Sequence, residues 1–141
     1  MNRFVQQPGS ATGLSDTVLC DANIFICAFN GWQDSIDQLN KIGLEDLVLS
    51  SITVMKHLQG MGNKTELPQM KKKIKYFDVV QIDEAISQKA IECIEPFKLS
   101  HGLQIPDTII GATAVVHQIP LHTYKIKDVD FLPGIVLYQP A

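Results

Sequence analysis

Short apolar runs alternate with longer amphipathic segments along this chain. Apolar and β-prone residues cluster in TVLC, LVLS and DVVQI, at residues 17–20, 47–50 and 78–82. Short runs of this kind, without regular polar alternation, are typical of strands that are buried on both faces. The same pattern predicts two further strands near the end of the chain, in PLHTY and IVLYQ, at residues 120–124 and 135–139.

The segments between these runs carry apolar residues at helical spacing. Turn and cap residues delimit them: Asn30-Gly31 separates the first two, Asp83 precedes the longest, and Pro106 stands in the first turn of the last. Ser51 is expected to cap the third helix. In the longest helix, the residues expected to face the core are Ala85, Ile86, Ala90, Ile91 and Ile94. The predicted helices cover residues 22–30, 33–43, 51–62, 64–76, 83–100 and 106–118.

This alternation of strands and helices predicts an α/β fold. The expected architecture is a three-layer α/β/α arrangement around a mostly parallel central sheet. We expect the domain to cover residues 17–141, after a polar N-terminal tail, residues 1–16, that contains Pro and Gly and is predicted to be mobile. In folds of this class, ligands bind at the carboxyl ends of the strands.

Composition narrows the class of protein. The chain is 45% hydrophobic and 19% charged, an ordinary globular profile, and its net charge of −3 argues against coating nucleic acid by charge alone. Its three cysteines lack a C-x-x-C spacing, which argues against a disulfide framework or a structural zinc site and favours the cytoplasm. No apolar run approaches the roughly 20 residues that cross a bilayer, so no membrane association is expected.

Three aspartates stand where such a sheet would present a site. Asp21 follows the first strand, Asp107 begins the last helix, and Asp128 lies shortly after the fourth strand. Carboxylates gathered at one edge of a sheet repel each other unless a cation lies between them, and Mg²⁺ or Mn²⁺ suits oxygen ligands. Each residue also has a simpler interpretation, since Asp21 can cap a helix, Asp107 can favour a helix dipole, and Asp128 can be a solvated loop acid.

Four motifs resemble those of PIN-domain proteins, especially VapC-type toxins of bacterial toxin–antitoxin pairs. VLCDANIFICAFNG is similar to the opening motif, a strand that ends in Asp-x-Asn-Ile/Leu before an apolar helix. LSSITVMKHLQGMGNK resembles the second motif, and HGLQIPDTIIGATAVVHQIPLHTYKIKDVDFLPGI resembles the third and fourth. The resemblance runs from about residue 17 to the end of the chain, in the family's order and spacing.

The resemblance implies a PIN-like fold and a metal-dependent endoribonuclease that uses Mg²⁺ or Mn²⁺. Asp21, Asp107 and Asp128 would hold the metal and act in catalysis, and Asn23 and Thr123 would be polar supports beside them. It also implies an RNA substrate, an antitoxin protein as partner and a homodimer. The helices in ITVMKHLQGMG and LPQMKKKIKYF are the candidates for these protein contacts.

Two positions depart from the family pattern. Lys56 stands where the second motif has a glutamate, and Lys125 stands where the fourth motif has an Asn or Asp. An ammonium group in either place is expected to weaken metal binding, and Lys56 can itself offset the charge of the acids. An alternative is therefore a catalytically inactive PIN module that acts through dimerisation and partner binding. If Lys56 instead faces solvent, metal binding is not affected by this substitution.

Three other features allow more than one interpretation. The lysines of MKKKIKYF, residues 70–77, can contact RNA phosphates or form a solvated helix face, and the second is favoured. His57, His101, His117 and His122 lack a zinc-ligand spacing and are interpreted as structural or surface residues. DANIF also resembles the opening of haloacid-dehalogenase-like phosphotransfer enzymes, but Asn23 stands where that chemistry needs an acid.

Overall fold

A computed structural model describes residues 16–140, so all but the last residue of the predicted N-terminal tail lies outside the described residues. The described chain contains one sheet of four parallel strands, in the order β3-β2-β1-β4. The strands are β1 (Val18–Cys20), β2 (Leu47–Ser50), β3 (Asp78–Val80) and β4 (Leu121–His122). The helices are α1 (Ala22–Phe29), α2 (Gln33–Ile42), α3 (Ser51–Gln59), α4 (Glu66–Ile74), α5 (Glu84–His101) and α6 (Ile105–His117).

Strand β1 lies in the interior of the sheet. Leu19 pairs with Val48 of β2 on one side and with Leu121 of β4 on the other. The residue that follows β1 is therefore at the centre of the carboxyl edge, between the ends of its two neighbours.

Two hydrophobic cores cover the two faces of the sheet. On one face, Leu19 and Val48 pack with buried residues of α5 and α6, among them Ile86 and Ile110. On the other face, the alternate strand residues pack with α1 and α2 in a cluster of Val18, Cys20, Ile24, Phe25, Leu39, Leu47 and Leu49. Successive strand residues point to opposite faces, so every residue of β1 and β2 is buried, and the predicted three-layer α/β/α architecture is confirmed.

Side-chain caps mark the starts of α3 and α5, one of them at a different residue from the prediction. Asp83 caps α5 by accepting a hydrogen bond from the Ile86 N–H at 2.9 Å, as predicted. At α3 the prediction was wrong by one residue, because Ser50 is the cap and accepts from the Ile52 N–H at 3.2 Å, whereas Ser51 is the first helical residue.

Three other predictions differ from the structure. The strand expected at residues 135–139 is reduced to a single parallel bridge between Leu137 and Leu121. Pro140 follows closely and has no N–H to extend the pairing. Ala85 and Ile91 were expected to face the core but are exposed, Ile91 to 64%, since Ala90 and Cys93 occupy the inward face of α5. In the described part of the chain, no helix is long and apolar enough to span a membrane.

Candidate functional site

Asp21 is a buried carboxylate that is held by hydrogen bonds. Its side chain is only 4% exposed, and its Oδ1 accepts from the Ala22 N–H at 2.7 Å, so that Asp21 caps α1. Its own N–H donates to the His122 carbonyl at 2.9 Å, which continues the pairing of β1 with β4. The strand and the helix together therefore determine where this carboxylate lies.

The second oxygen of Asp21 is held by Thr123 and Asn23. The Thr123 hydroxyl donates to Asp21 Oδ2 at 2.8 Å, and the Asn23 amide lies 3.4 Å from the same oxygen. The Asn23 amide also donates to Thr123 Oγ1 at 3.3 Å. Thr123 and Asn23 are the two residues that the family resemblance implies as polar supports, and both contact Asp21.

A network from α2 holds the loop that carries Thr123. The Tyr124 hydroxyl lies 2.6 Å from Ser35 Oγ and donates to Gln38 Oε1 at 3.1 Å, and His122 Nε2 lies 2.9 Å from the same Gln38 oxygen. Because an amide oxygen only accepts, His122 donates from Nε2, as both the neutral Nε2–H tautomer and the charged ring can. Burial lowers the pKa of His122, which agrees with the neutral form.

Sequence reasoning did not identify this network. Its signal would have been the pair Ser35 and Gln38, three residues apart on a helix face next to the apolar Leu39. Ser35 is 1% exposed, so its polarity serves a contact inside the protein rather than solvation.

Asp107 lies among charges of both signs. It is half-buried in the first turn of α6, and its pKa is raised, first by burial and then by repulsion from Asp21 and Asp128. Lys125 and Lys56 act in the opposite direction and lower the pKa of Asp107. The three predicted acids and the two atypical lysines therefore interact electrostatically at one edge of the sheet.

His57 belongs to the hydrophobic side of α3. Its ring is 2% exposed and packs edge-on against Phe25, with ring centroids 6.0 Å apart. Lys56 points about 100° away from His57 around the helix and is half-buried. Burial lowers the pKa of His57, although the charge of Asp21 acts to raise it. His57 is thus a core residue that lies within electrostatic range of Asp21.

The carboxylate oxygens of the three aspartates suit a hard divalent cation. Their spatial arrangement and the nearby lysines suit it less well. Carboxylate oxygens are the ligands that Mg²⁺ and Mn²⁺ prefer. Among the residues that the structure describes, however, no three acidic, histidine or cysteine side chains are grouped in a position to hold a metal ion. The positive charges of Lys56 and Lys125 also act on Asp107 and would oppose the binding of a cation there. Metal ligation by Asp21, Asp107 and Asp128 stays a prediction.

Solved structures with the same fold are components of toxin–antitoxin complexes. One is a toxin–antitoxin complex from Klebsiella pneumoniae, with a TM-score of 0.72, 26% identity, and coverage of 89% of this chain and 98% of that chain. Another is FitAcB from Neisseria gonorrhoeae, with a TM-score of 0.70, 20% identity, and coverage of 88% and 98%. A third is VapBC2 from Rickettsia felis bound to a DNA fragment from their promoter, with a TM-score of 0.72, 18% identity, and coverage of 86% and 97%.

These likenesses extend over nearly the whole described chain and confirm the PIN-like fold and the resemblance to VapC-type proteins. No protein-family model matches the sequence, and no curated protein matches it. The shared fold, rather than close sequence similarity, connects this chain to those complexes.

The contact between Thr123 and Asp21 generates a stability prediction. Thr123→Val removes a hydroxyl that donates to a buried carboxylate, and we expect a loss of about 2 kcal/mol in the free energy of unfolding. Thr123→Ser keeps the hydroxyl and loses one methyl group, so a loss of only about 1 kcal/mol is expected. Urea unfolding at neutral pH measures both. A valine variant as stable as the serine variant would show that this hydrogen bond contributes nothing.

Proposed function

We propose that this chain is a metal-dependent endoribonuclease of VapC type, the toxin of a toxin–antitoxin pair, with an RNA substrate and an antitoxin protein as partners in the cytoplasm. The observation that carries the proposal is that the charges of Asp21 and Asp128 both act on Asp107, although the three residues are far apart in the sequence. The likeness to toxin–antitoxin complexes supports it independently.

In this proposal the three acids together hold Mg²⁺ or Mn²⁺. Asp21 would be the fixed ligand, since hydrogen bonds orient its carboxylate, and Asp107 and Asp128 would complete the set. The ion, when bound, would activate water and offset the charge that develops on the phosphodiester. Asp107 must be deprotonated to bind a cation, and its raised pKa means that protons compete with the ion as the pH falls.

Lys56 and Lys125 are expected to reduce the affinity for the ion. A lysine ammonium about 4 Å from a divalent cation would cost roughly 8 kcal/mol at an effective dielectric of 20, an upper bound because the flexible side chain can move away. Both lysines already offset the acids, since each lowers the pKa of Asp107. We therefore propose a nuclease of reduced activity.

The second candidate is a catalytically inactive PIN module that acts by dimerisation and partner binding. The favouring observation is that two lysines act on the acids where the family pattern has oxygen donors. The two candidates differ in whether metal-dependent RNA cleavage occurs at all.

Lys56→Glu separates them. It supplies the missing carboxylate and removes a cation, so we expect Mn²⁺ affinity to rise at least about tenfold over the wild type by isothermal titration calorimetry. Cleavage of single-stranded RNA should become faster in parallel. Lys89→Glu is the matched control, because the side chain of Lys89 is 40% exposed on α5 and is not among the charges that act on Asp107.

Tight Mn²⁺ binding by the wild type, unchanged in Lys56→Glu, would show that Lys56 does not compete with the ion. Stronger Mn²⁺ binding without RNA cleavage in any variant would favour the inactive module.

The proposed homodimer has a candidate surface other than the helices first considered. An apolar groove of about 250 Å³ lies between α5 and α6. Two of its lining residues, Ile91 and Ile105, are 64% and 66% exposed. A two-fold interface brings the same patch of each copy together, so exposed side chains and groove can fill each other. On the helices first considered, Met55 of α3 and Leu67 of α4 are 54% and 40% exposed, but they do not line this groove.

Ile91→Asp tests this surface. A carboxylate in the groove should shift the protein from dimer to monomer in multi-angle light scattering, because burying an unpaired charge in an apolar interface is costly. Leu99→Asp is the control, since Leu99 is on the same helix, is 96% exposed and does not line the groove. A dimer that survives Ile91→Asp as well as Leu99→Asp would place the interface elsewhere.

A further inference from the structure

A cavity of about 180 Å³ lies between α1, α3 and α4. Its apolar walls come from Ile26, Phe29, Met61 and Met70, and its polar lining comes from Asn30, Lys56 and His57. A mostly apolar cavity with a few converging polar groups is the usual form of a ligand site.

Topology places this cavity near the carboxyl edge of the sheet, because α1 and α3, which line it, begin directly after β1 and β2. His57 lines the cavity, and its pKa depends on the charge of Asp21. Lys56 also lines the cavity and acts on Asp107. A ligand in the cavity would thus lie beside the groups to which the cleavage reaction is assigned above.

The rim of the cavity is positively charged. Lys73 Nζ lies 4.8 Å from the centroid of the Phe29 ring, one helical turn after Met70. The neighbouring lysines Lys71, Lys72 and Lys75 are exposed, and among the described residues no carboxylate forms an ion pair with any lysine of this helix. A cavity with a positively charged rim complements the phosphates of a nucleic-acid chain.

His57, one of the residues that line the cavity, has a buried ring nitrogen that lacks a hydrogen bond. His57 Nε2 has no hydrogen-bond partner among the described residues, which is costly for a buried nitrogen. A purely apolar occupant, such as a leucine side chain of a partner protein, would leave that nitrogen unsatisfied. An occupant with a flat apolar body and hydrogen-bonding edges would offer it a partner.

We propose that this cavity binds one base of single-stranded RNA and so contributes to sequence selection. The base packs against Phe29 and the methionines, its edge meets His57 and Asn30, and Lys73 and Lys56 contact the flanking phosphates. Unpaired bases of RNA are recognised in this way, by packing on aromatic side chains and by hydrogen bonds to their edges. The inference rests on the proposed function for the choice of RNA but concerns binding alone.

The test compares RNA that has bases with an abasic oligonucleotide of equal phosphate number. Fluorescence anisotropy at low salt, with EDTA present so that metal-dependent cleavage does not occur, gives both affinities. We expect the wild type to bind at least one of the four homopolymer RNAs about tenfold or more tightly than the abasic chain, since packing of one base contributes about 1–3 kcal/mol.

Ile26→Glu puts a carboxylate at the mouth of the cavity, where Ile26 is 46% exposed, and should abolish this preference. Leu44→Glu makes the same charge change at a 55% exposed leucine near the amino end of β2, away from the cavity, and should retain the preference. Equal binding of abasic and base-containing chains, or equal effects of the two glutamates, would overturn the inference and favour a partner protein in the cavity.

The outcomes also separate this inference from the nuclease proposal. Base-dependent binding without any metal-dependent cleavage would support the cavity as a base-binding site and contradict the nuclease proposal. Metal-dependent cleavage with no base preference in the wild type would support the nuclease proposal and contradict the base-binding site.

Discussion

The buried carboxylate of Asp21 constrains much of this structure. An ionised carboxylate at 4% exposure needs hydrogen bonds or a nearby cation to offset the loss of water. The start of α1 supplies one hydrogen bond, and the loop after β4 supplies a second through Thr123. These contacts require β1 and β4 to be neighbours and α1 to begin directly at the strand end. The order of the strands and the position of the site are therefore both linked to the burial of this carboxylate.

Charges of both signs act on Asp107 at this edge of the sheet. Asp107 is repelled by Asp21 and Asp128, and this repulsion adds to the effect of burial on its pKa. Lys56 and Lys125 oppose the repulsion, in positions where the family pattern has oxygen donors. In the proposed site these two lysines would lower the affinity for a metal ion. Lys56 is common to both proposals, since it is also proposed to contact a phosphate of RNA.

The sequence predicted those features that depend on local pattern. The first three strands and the helix starts followed from apolar runs and cap residues, and Asp21 and Asp107 were identified because they follow a strand end and a helix start. Features that depend on residues far apart in the chain were not predictable. Ser35 contacts Tyr124 across 89 positions, and nothing in either segment indicates the other. The exposure of Ile91 depends on how α5 rotates against α6, which helical spacing alone does not determine.

The most direct test is a pair of crystal structures, of the wild type and of Lys56→Glu, each soaked in Mn²⁺ and measured for anomalous scattering. If Lys56 weakens ion binding, the wild type shows little or no anomalous density between Asp21, Asp107 and Asp128. The variant then shows a manganese peak at that position. An equally strong peak in both crystals would contradict the proposal that Lys56 lowers the affinity for the ion.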